Sequence, residues 1–355
     1  MKVQISQRQL GFLAANSIIA SSLVVLPQSI VDLSLQNAWT VPFFLFIYIV
    51  IIVKFSLFGI NKLRTFHMQP RGMKTKVFAL LMVIFISHIL IRDLRILSGF
   101  IGTTLLPLTP SFVVTMLIIG CSLYMAWAGI EVIARFNELT FLIFICVVLF
   151  IPLSLVGEMD IENFEPVLGL KVIPSILQST YIGLAWVGEL IIVLLIIGTI
   201  HPLKSAKKTL IWGGGLGLGM FFILLFTQIA VLGAEIVRYS SYPTYSLVQQ
   251  IRLTEFLDRL DFVLVSLYFP TIFAKFALLF YGLNRSMNLL IKAENKITLI
   301  PLALLVGILS ITLLENKSLL YEFQIDTWAT LGLILEVLIV FTMFFMIREN
   351  LKKQL

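Results

Sequence analysis

Long apolar runs separated by short polar loops repeat along the whole chain of 355 residues. About 20 apolar residues in a helix span the hydrocarbon core of a bilayer, so each run of that length predicts a transmembrane helix. The loops leave no room for a separate soluble domain, and we expect one transmembrane domain over residues 1–355. The predicted spans have bounds near residues 7–33, 39–60, 77–101, 111–131, 139–156, 172–199, 209–233, 259–283, 298–314 and 328–347.

Composition and charge support an all-α integral membrane protein. Hydrophobic residues make up 59% of the chain and charged residues only 13%, which excludes a soluble globular protein. The net charge of +7 comes from Lys and Arg concentrated in alternate loops and at both termini, so the positive-inside rule places both termini in the cytoplasm. Cys121 and Cys146 lie in apolar runs without a ligand spacing, and we predict no disulfide, metal or other cofactor.

The sixth span, residues 172–199, has an unusual centre for a membrane helix. Gly183, Gly188 and the ionisable Glu189 lie within seven residues of one another, with Ala185 and Trp186 between the glycines. A carboxylate in hydrocarbon costs roughly 2 to 3 kcal/mol or more, and glycine weakens a helix, so the pattern predicts a broken helix that lines a polar cavity. Close helix packing at the glycines is an equal alternative.

The first span carries a second polar interruption, formed by Asn16, Ser17, Ser21 and Ser22. These side chains could bind a ligand, or they could bond to their own helix and to a neighbouring helix. Five spans separate the start of span one from the start of span six. Two five-helix halves that each open with a discontinuous helix are typical of inverted-repeat transporters, with pseudo-repeats near residues 7–156 and 172–314 and helix 328–347 completing the second half.

Spans three and eight each contain charge at membrane depth. In span three, Arg92 shares a helical face with His88, whereas Asp93 is expected to point elsewhere. Arg92 could extend to the membrane surface, or Arg92 or Asp93 could form a gate with Glu189 as partner. Lys275 in span eight needs a partner, and we hypothesise that its ammonium group replaces the coupling sodium ion of such transporters.

Four longer stretches resemble one known family in the right order along nearly the whole chain. They read LPLTP from Leu106, GIEVIARFNEL from Gly129, DIENFEPVLGLKVIPSIL from Asp160 and YPTYSLVQQI from Tyr242. Together they resemble the B subunits of spore germinant receptors, which belong to the amino acid/polyamine/organocation transporter superfamily. Many members have a glycine-containing break in span one, whereas Ile18–Ser22 here contains no glycine.

This resemblance implies a specific function. The chain would lie in the inner membrane of a dormant spore, bind a small nutrient germinant such as an amino acid, and work with an A subunit and a C-subunit lipoprotein. Freed backbone N–H groups of broken helices would bind an anionic group of the germinant. The predicted pocket consists of Asn16, Ser17, Ser21, Ser22, Gly183, Ala185, Trp186, Gly188 and Glu189.

Two alternatives to a receptor remain. An amino-acid permease would move its substrate through the same pocket, and composition does not separate a carrier from a sensor. An intramembrane enzyme is not expected, because no paired acidic, His-rich or Ser/Lys group converges on one depth.

Overall fold

The computed structural model describes residues 4–63, 65–66, 68, 72–167, 169, 172–200, 202–251, 260–291, 296–314 and 316–354. Within these ranges the protein is helical and contains no β-sheet; one isolated bridge pairs Ile5 with Ile200. The all-α prediction is therefore confirmed. The α-helices are α1 Gln7–Ser34, α2 Val41–Ser56, α3 Met73–Phe100, α4 Ser111–Ala128, α5 Ile130–Ser154, α6 Ile173–Val187, α7 Leu203–Tyr239, α8 Pro243–Val248, α9 Leu260–Ile291, α10 Leu299–Thr312, α11 Lys317–Glu322 and α12 Ala329–Gln354.

Eight helical stretches of the described chain are long and apolar enough to cross a membrane. One of them, Ser22–Ser56, joins the second half of α1 to α2 through the 3₁₀ turn Leu35–Thr40, and α10 is a shorter apolar helix. These stretches make the chain an integral membrane protein. The number of ten crossings stays a prediction.

Helix α1 is continuous, and the predicted break in span one is wrong. No glycine lies between Phe12 and Ser34, so the backbone has no weak point there. Pro27 lies inside the helix and cannot donate a hydrogen bond to the carbonyl of Leu23. The Thr244 hydroxyl donates to that carbonyl instead, at 2.6 Å. A side chain from α8 therefore compensates for the missing N–H group, and α1 continues through the proline.

The sixth span changes helix type at Gly188. The α-helix α6 ends at Val187, and Gly188–Thr199 continues as a 3₁₀ helix of 12 residues. Such runs rarely exceed 3–4 residues, and long ones often mark a hinge or strain. The predicted discontinuity is therefore a change of helix type. It is not an unwound segment, so it presents no free row of N–H groups to a ligand.

Helix α1 lies at the centre of the bundle and packs against α5, α6, α7 and α9. Its contact with α7 is close enough to require glycine: a Cβ atom at Gly213 would lie 2.4 Å from the carbonyl oxygen of Gly11. Helix α3 packs against α9, α10 and α12 on the other side of the bundle. Charged side chains of α3, α6 and α9 thereby meet in the interior.

Candidate functional site

Four charged side chains form one buried cluster inside the bundle. Arg92 and Asp93 come from α3, Glu189 from the first turn of the 3₁₀ helix, and Lys275 from α9, and each side chain is at most 3% exposed. Arg92 Nη2 lies 2.5 Å from Asp93 Oδ1 and 2.5 Å from Glu189 Oε1. Lys275 Nζ lies 3.0 Å from Asp93 Oδ2 and 2.6 Å from Glu189 Oε2. Each carboxylate therefore contacts both cations.

The cluster is electrically balanced, with two positive and two negative charges. Burying a single ion in a bundle is costly, whereas paired and hydrogen-bonded ions offset much of that desolvation. The expectation that Arg92 reaches the membrane surface is wrong, because its guanidinium group is fully buried. The expectation that Asp93 points away from Arg92 is also wrong: consecutive helix positions diverge by about 100°, but the long Arg92 side chain folds back to its neighbour.

Two tryptophans enclose the Arg92 guanidinium group. Its Cζ atom lies 3.8 Å from the ring centroid of Trp186 in α6 and 4.9 Å from that of Trp328, which precedes α12. Such cation–π contacts stabilise a cation that has lost its water. Trp186, predicted to line the pocket, thus packs on the ion cluster together with Glu189.

The backbone at Gly188 lies against a carboxyl group that the sequence analysis missed. A Cβ atom at Gly188 would lie 1.8 Å from Oε2 of Glu336 in α12, so no side chain fits there beside this carboxyl. Tyr48 of α2 donates a hydrogen bond of 2.6 Å to the same oxygen. Glu336 is the one charged residue in the apolar span 328–347, and this sequence feature could have indicated a buried functional group.

The other predicted residues of span six serve packing. A Cβ atom at Gly183 would lie 2.9 Å from Leu45 of α2, and the Cβ atom of Ala185 would lie 2.7 Å from one placed on Gly332 of α12. The packing alternative therefore describes these two positions, whereas Trp186, Gly188 and Glu189 lie beside charged groups.

The polar residues of span one are engaged within the bundle. Asn16 Nδ2 donates to Asn137 Oδ1 at 2.6 Å and to the Thr271 carbonyl at 2.8 Å, which joins α1 to α5 and α9. Ser17 donates to the Leu13 carbonyl of its own helix, and Ser22 likewise donates to the carbonyl of Ile18. The side chain of Ser21 lies outside the described residues.

Cavities lie at both ends of the described bundle, and the larger of the two lies opposite the N-terminus. At the end where the N-terminus lies, Ile5 N donates to the Thr199 carbonyl at 3.2 Å and Arg8 Nε pairs with Glu138 of α5 at 2.5 Å. At the opposite end a cavity of about 550 Å³ opens. Its polar lining includes Gln28, Arg95, Ser98, Thr103, Tyr242 and Tyr321.

This cavity does not coincide with the predicted pocket, since none of the predicted pocket residues lines it. Burial raises the pKa of the Tyr242 phenol, so this side chain stays a neutral donor at physiological pH. Arg95 follows Arg92 by three residues on α3, and the cavity wall is thereby joined to the ion cluster through one turn of helix.

The described chain contains no group of three or more His, Cys, Asp or Glu side chains arranged to hold a metal ion. The charged cluster carries its own cations, and a relative movement of α3, the 3₁₀ helix and α9 at this depth would break its ion pairs. Chemically, it can therefore act as a switch that joins three helices.

The sequence and the fold of this chain are similar to those of known proteins. Residues 4–319 match the family Spore_permease, described as spore germination protein. The chain is 30% identical to YfkT of Bacillus subtilis (strain 168) over 77% of both chains, and 27% identical to spore germination protein KB of the same organism over 89% of this chain and 87% of that one. In structure it is similar to a Na⁺-coupled sialic acid symporter in a substrate-bound, outward-open state, with a TM-score of 0.60, 14% identity, and coverage of 95% and 89%.

Proposed function

Because this chain belongs to the Spore_permease family of spore germination proteins, we propose that it is a membrane subunit of a spore germinant receptor. It has the fold of a symporter and no large extramembrane domain among its described residues. The observation that carries the proposal is the self-balanced ion cluster beneath the cavity. A sensor needs an element with two arrangements whose equilibrium a ligand shifts.

The germinant would be a small nutrient of about the size of an amino acid that enters the cavity. A volume of about 550 Å³ suits a ligand of that size, and polar side chains with Arg95 suit a carboxylate group. Binding that moves Arg95 would move Arg92 on the same helix and so disturb the cluster. The pocket predicted from sequence would then act mainly through two of its members, Trp186 and Glu189; its other members are Asn16, Ser17, Ser21, Ser22, Gly183, Ala185 and Gly188.

The proposal includes the predicted inverted repeat and a single domain over residues 1–355. Counted with α9 as the eighth span, the contacts occur in reciprocal pairs: α1 packs against α7 and α6 against α2, α3 against α10 and α9 against α4, and α5 against α9 and α12 against α3. Two halves related by a pseudo-two-fold axis would produce this pairing, which supports the repeat.

Lys275, in this proposal, supplies the cation that a symporter would take from solution. Its ammonium group bridges Asp93 and Glu189, the two carboxylates of the cluster. We expect unfolding of the purified protein to be the same in NaCl and in choline chloride, and Lys275→Met to acquire stabilisation by Na⁺. A Lys275→Met protein that keeps its germinant response and its indifference to Na⁺ would refute this role.

The family supports a proposal about location and partners. We propose the spore inner membrane, with both termini on the core side, and assembly with an A subunit and a C-subunit lipoprotein. Affinity purification of the tagged chain from spores tests the assembly, and recovery without either subunit would contradict it.

The receptor function is tested by deleting the subunit. Spores without it should lose the response to one germinant in a panel of amino acids, sugars and nucleosides, and a restored copy should return that response. If every response survives deletion, the proposal fails. Uptake of radiolabelled amino acids into vesicles then tests the permease, which the symporter fold also suits.

A further inference from the structure

Glu336 is a buried carboxyl group that the ion cluster does not include. It lies at the midpoint of the apolar stretch Leu319–Lys353 and is fully buried. Acidic side chains at this depth are expensive unless they are paired or neutral.

Glu336 forms no ion pair with any Lys or Arg in the described part of the chain. Among the described residues, no Lys or Arg lies within 4.0 Å of its carboxyl oxygens, and the two cations of the cluster already bind Asp93 and Glu189. The cluster sums to zero charge without Glu336. An ionised Glu336 would add an uncompensated negative charge close to Glu189.

The surroundings of Glu336 suit a neutral acid. Tyr48 donates to Oε2, while Oε1 has no hydrogen-bond partner among the described residues and is free to carry the proton. The carboxyl group lies against Gly188, where α6 becomes a 3₁₀ helix. The titratable or charged groups on the elements packed against α12 are Tyr48 and the exposed Lys54 on α2, Tyr181 on α6, Glu189 on the 3₁₀ helix, Lys74, Lys76, His88, Arg92, Asp93 and Arg95 on α3, and the exposed Asp326 before α12.

We propose that Glu336 is a proton-binding site, occupied at neutral pH, at the junction between α12 and the Gly188 end of α6. A carboxyl group held neutral in this way can bind or release a proton when its surroundings change. Any rearrangement of Gly188 or of the Glu189 ion pairs would alter how tightly the proton is held. Proton binding would thereby be linked to the conformation of the cluster.

Infrared difference spectroscopy of the purified full-length protein at pH 7 tests the site without any germinant. The Glu336→Gln protein should lose one band from the carbonyl-stretch region of protonated carboxylic acids. The matched control Glu349→Gln lies on the same helix, where Glu349 is exposed and ion-paired with Lys74 and Lys353, and it should lose carboxylate absorption only. Loss of carboxylate absorption in Glu336→Gln would overturn the proposal.

A second variant covers the case in which Glu336→Gln does not fold. Tyr48→Phe removes the hydrogen bond to Oε2, so the same protonated-acid band should move to higher frequency. A Tyr48→Phe spectrum with that region unchanged would also overturn the proposal. Neither result depends on whether the protein is a germinant receptor.

Discussion

Spans one and six were both predicted to be discontinuous helices, but only the sixth span changes its helix type. Both spans carry polar residues in an apolar sequence, and both were expected to break and bind a ligand. In α1, Asn16 bonds to two neighbouring helices and Ser17 bonds to its own backbone, so the helix stays regular. In the sixth span the helix changes type at Gly188, and Glu189 enters an ion cluster.

The difference lies in what each side chain can satisfy locally. Ser17 places its hydrogen bond on a carbonyl of its own helix and Asn16 finds neutral partners on two neighbouring helices, so neither needs a break in α1. An ionised glutamate such as Glu189 needs cations, which here come from two other helices. A buried ionised side chain therefore has to meet partners on other helices, whereas a serine can be satisfied within its own helix.

The largest expected effect comes from unbalancing the ion cluster. Glu189→Gln or Lys275→Met alone leaves one buried charge unpaired and should cost about 3–5 kcal/mol of stability. The double variant restores neutrality and should recover most of that loss. Thermal unfolding in detergent measures all three proteins, and simple additivity of the two single losses would contradict the coupling.

Removing the Asn16 bridge should have a smaller effect. Asn16→Leu leaves the Asn137 amide without its partner in α1, at a cost of about 1–3 kcal/mol. Adding Asn137→Leu removes the amide that has lost its partner and should restore part of the lost stability. The same unfolding assay measures both single variants and the double variant. If Asn137→Leu lowers the stability of the Asn16→Leu protein by as much as it lowers that of the wild type, the two residues do not form a stabilising bridge.

The hydrogen bond from Thr244 to the Leu23 carbonyl, beside Pro27, should contribute about 1 kcal/mol to the stability of the protein. Thr244→Val leaves the Leu23 carbonyl without the hydroxyl donor and also takes an acceptor from Gln228, whereas Thr244→Ser keeps both bonds. In a Pro27→Ala background the backbone N–H can bond to Leu23, so Thr244→Val should cost less there. An equal cost in both backgrounds would show that the hydroxyl does not compensate for the proline.

The smallest effect is expected at Ser22. Its hydroxyl bonds to the carbonyl of Ile18 on the same helix, so Ser22→Ala should change stability by less than about 0.5 kcal/mol. Germination of spores carrying this variant should match the wild type. A selective loss of one germinant response would return Ser22 to the binding site.

Much of the fold could be predicted from sequence because bilayer thickness sets the length of each apolar run. The importance of Glu189 and the need of Lys275 for a partner were also predictable, since both are charges at membrane depth. Which groups they meet was not predictable, because this depends on tertiary packing of α3, α6 and α9. The contact between Gly188 and Glu336 joins residues that are far apart in sequence, and only the fold reveals it.

The continuity of α1 shows a different limit of prediction from sequence. Four polar side chains suggested a break, yet α1 continues even past Pro27, where Thr244 on α8 supplies the donor that the proline lacks. Sequence patterns within a span do not include donors that other helices supply.

The most direct test of the central claim is germination of spores carrying Glu189→Gln with Lys275→Met, compared with spores carrying Ser22→Ala. Immunoblots would confirm that both proteins accumulate. If the ion cluster is the switching element, the double variant should accumulate and lose the germinant response that deletion removes, while Ser22→Ala keeps it. A double variant that responds like the wild type would contradict the claim.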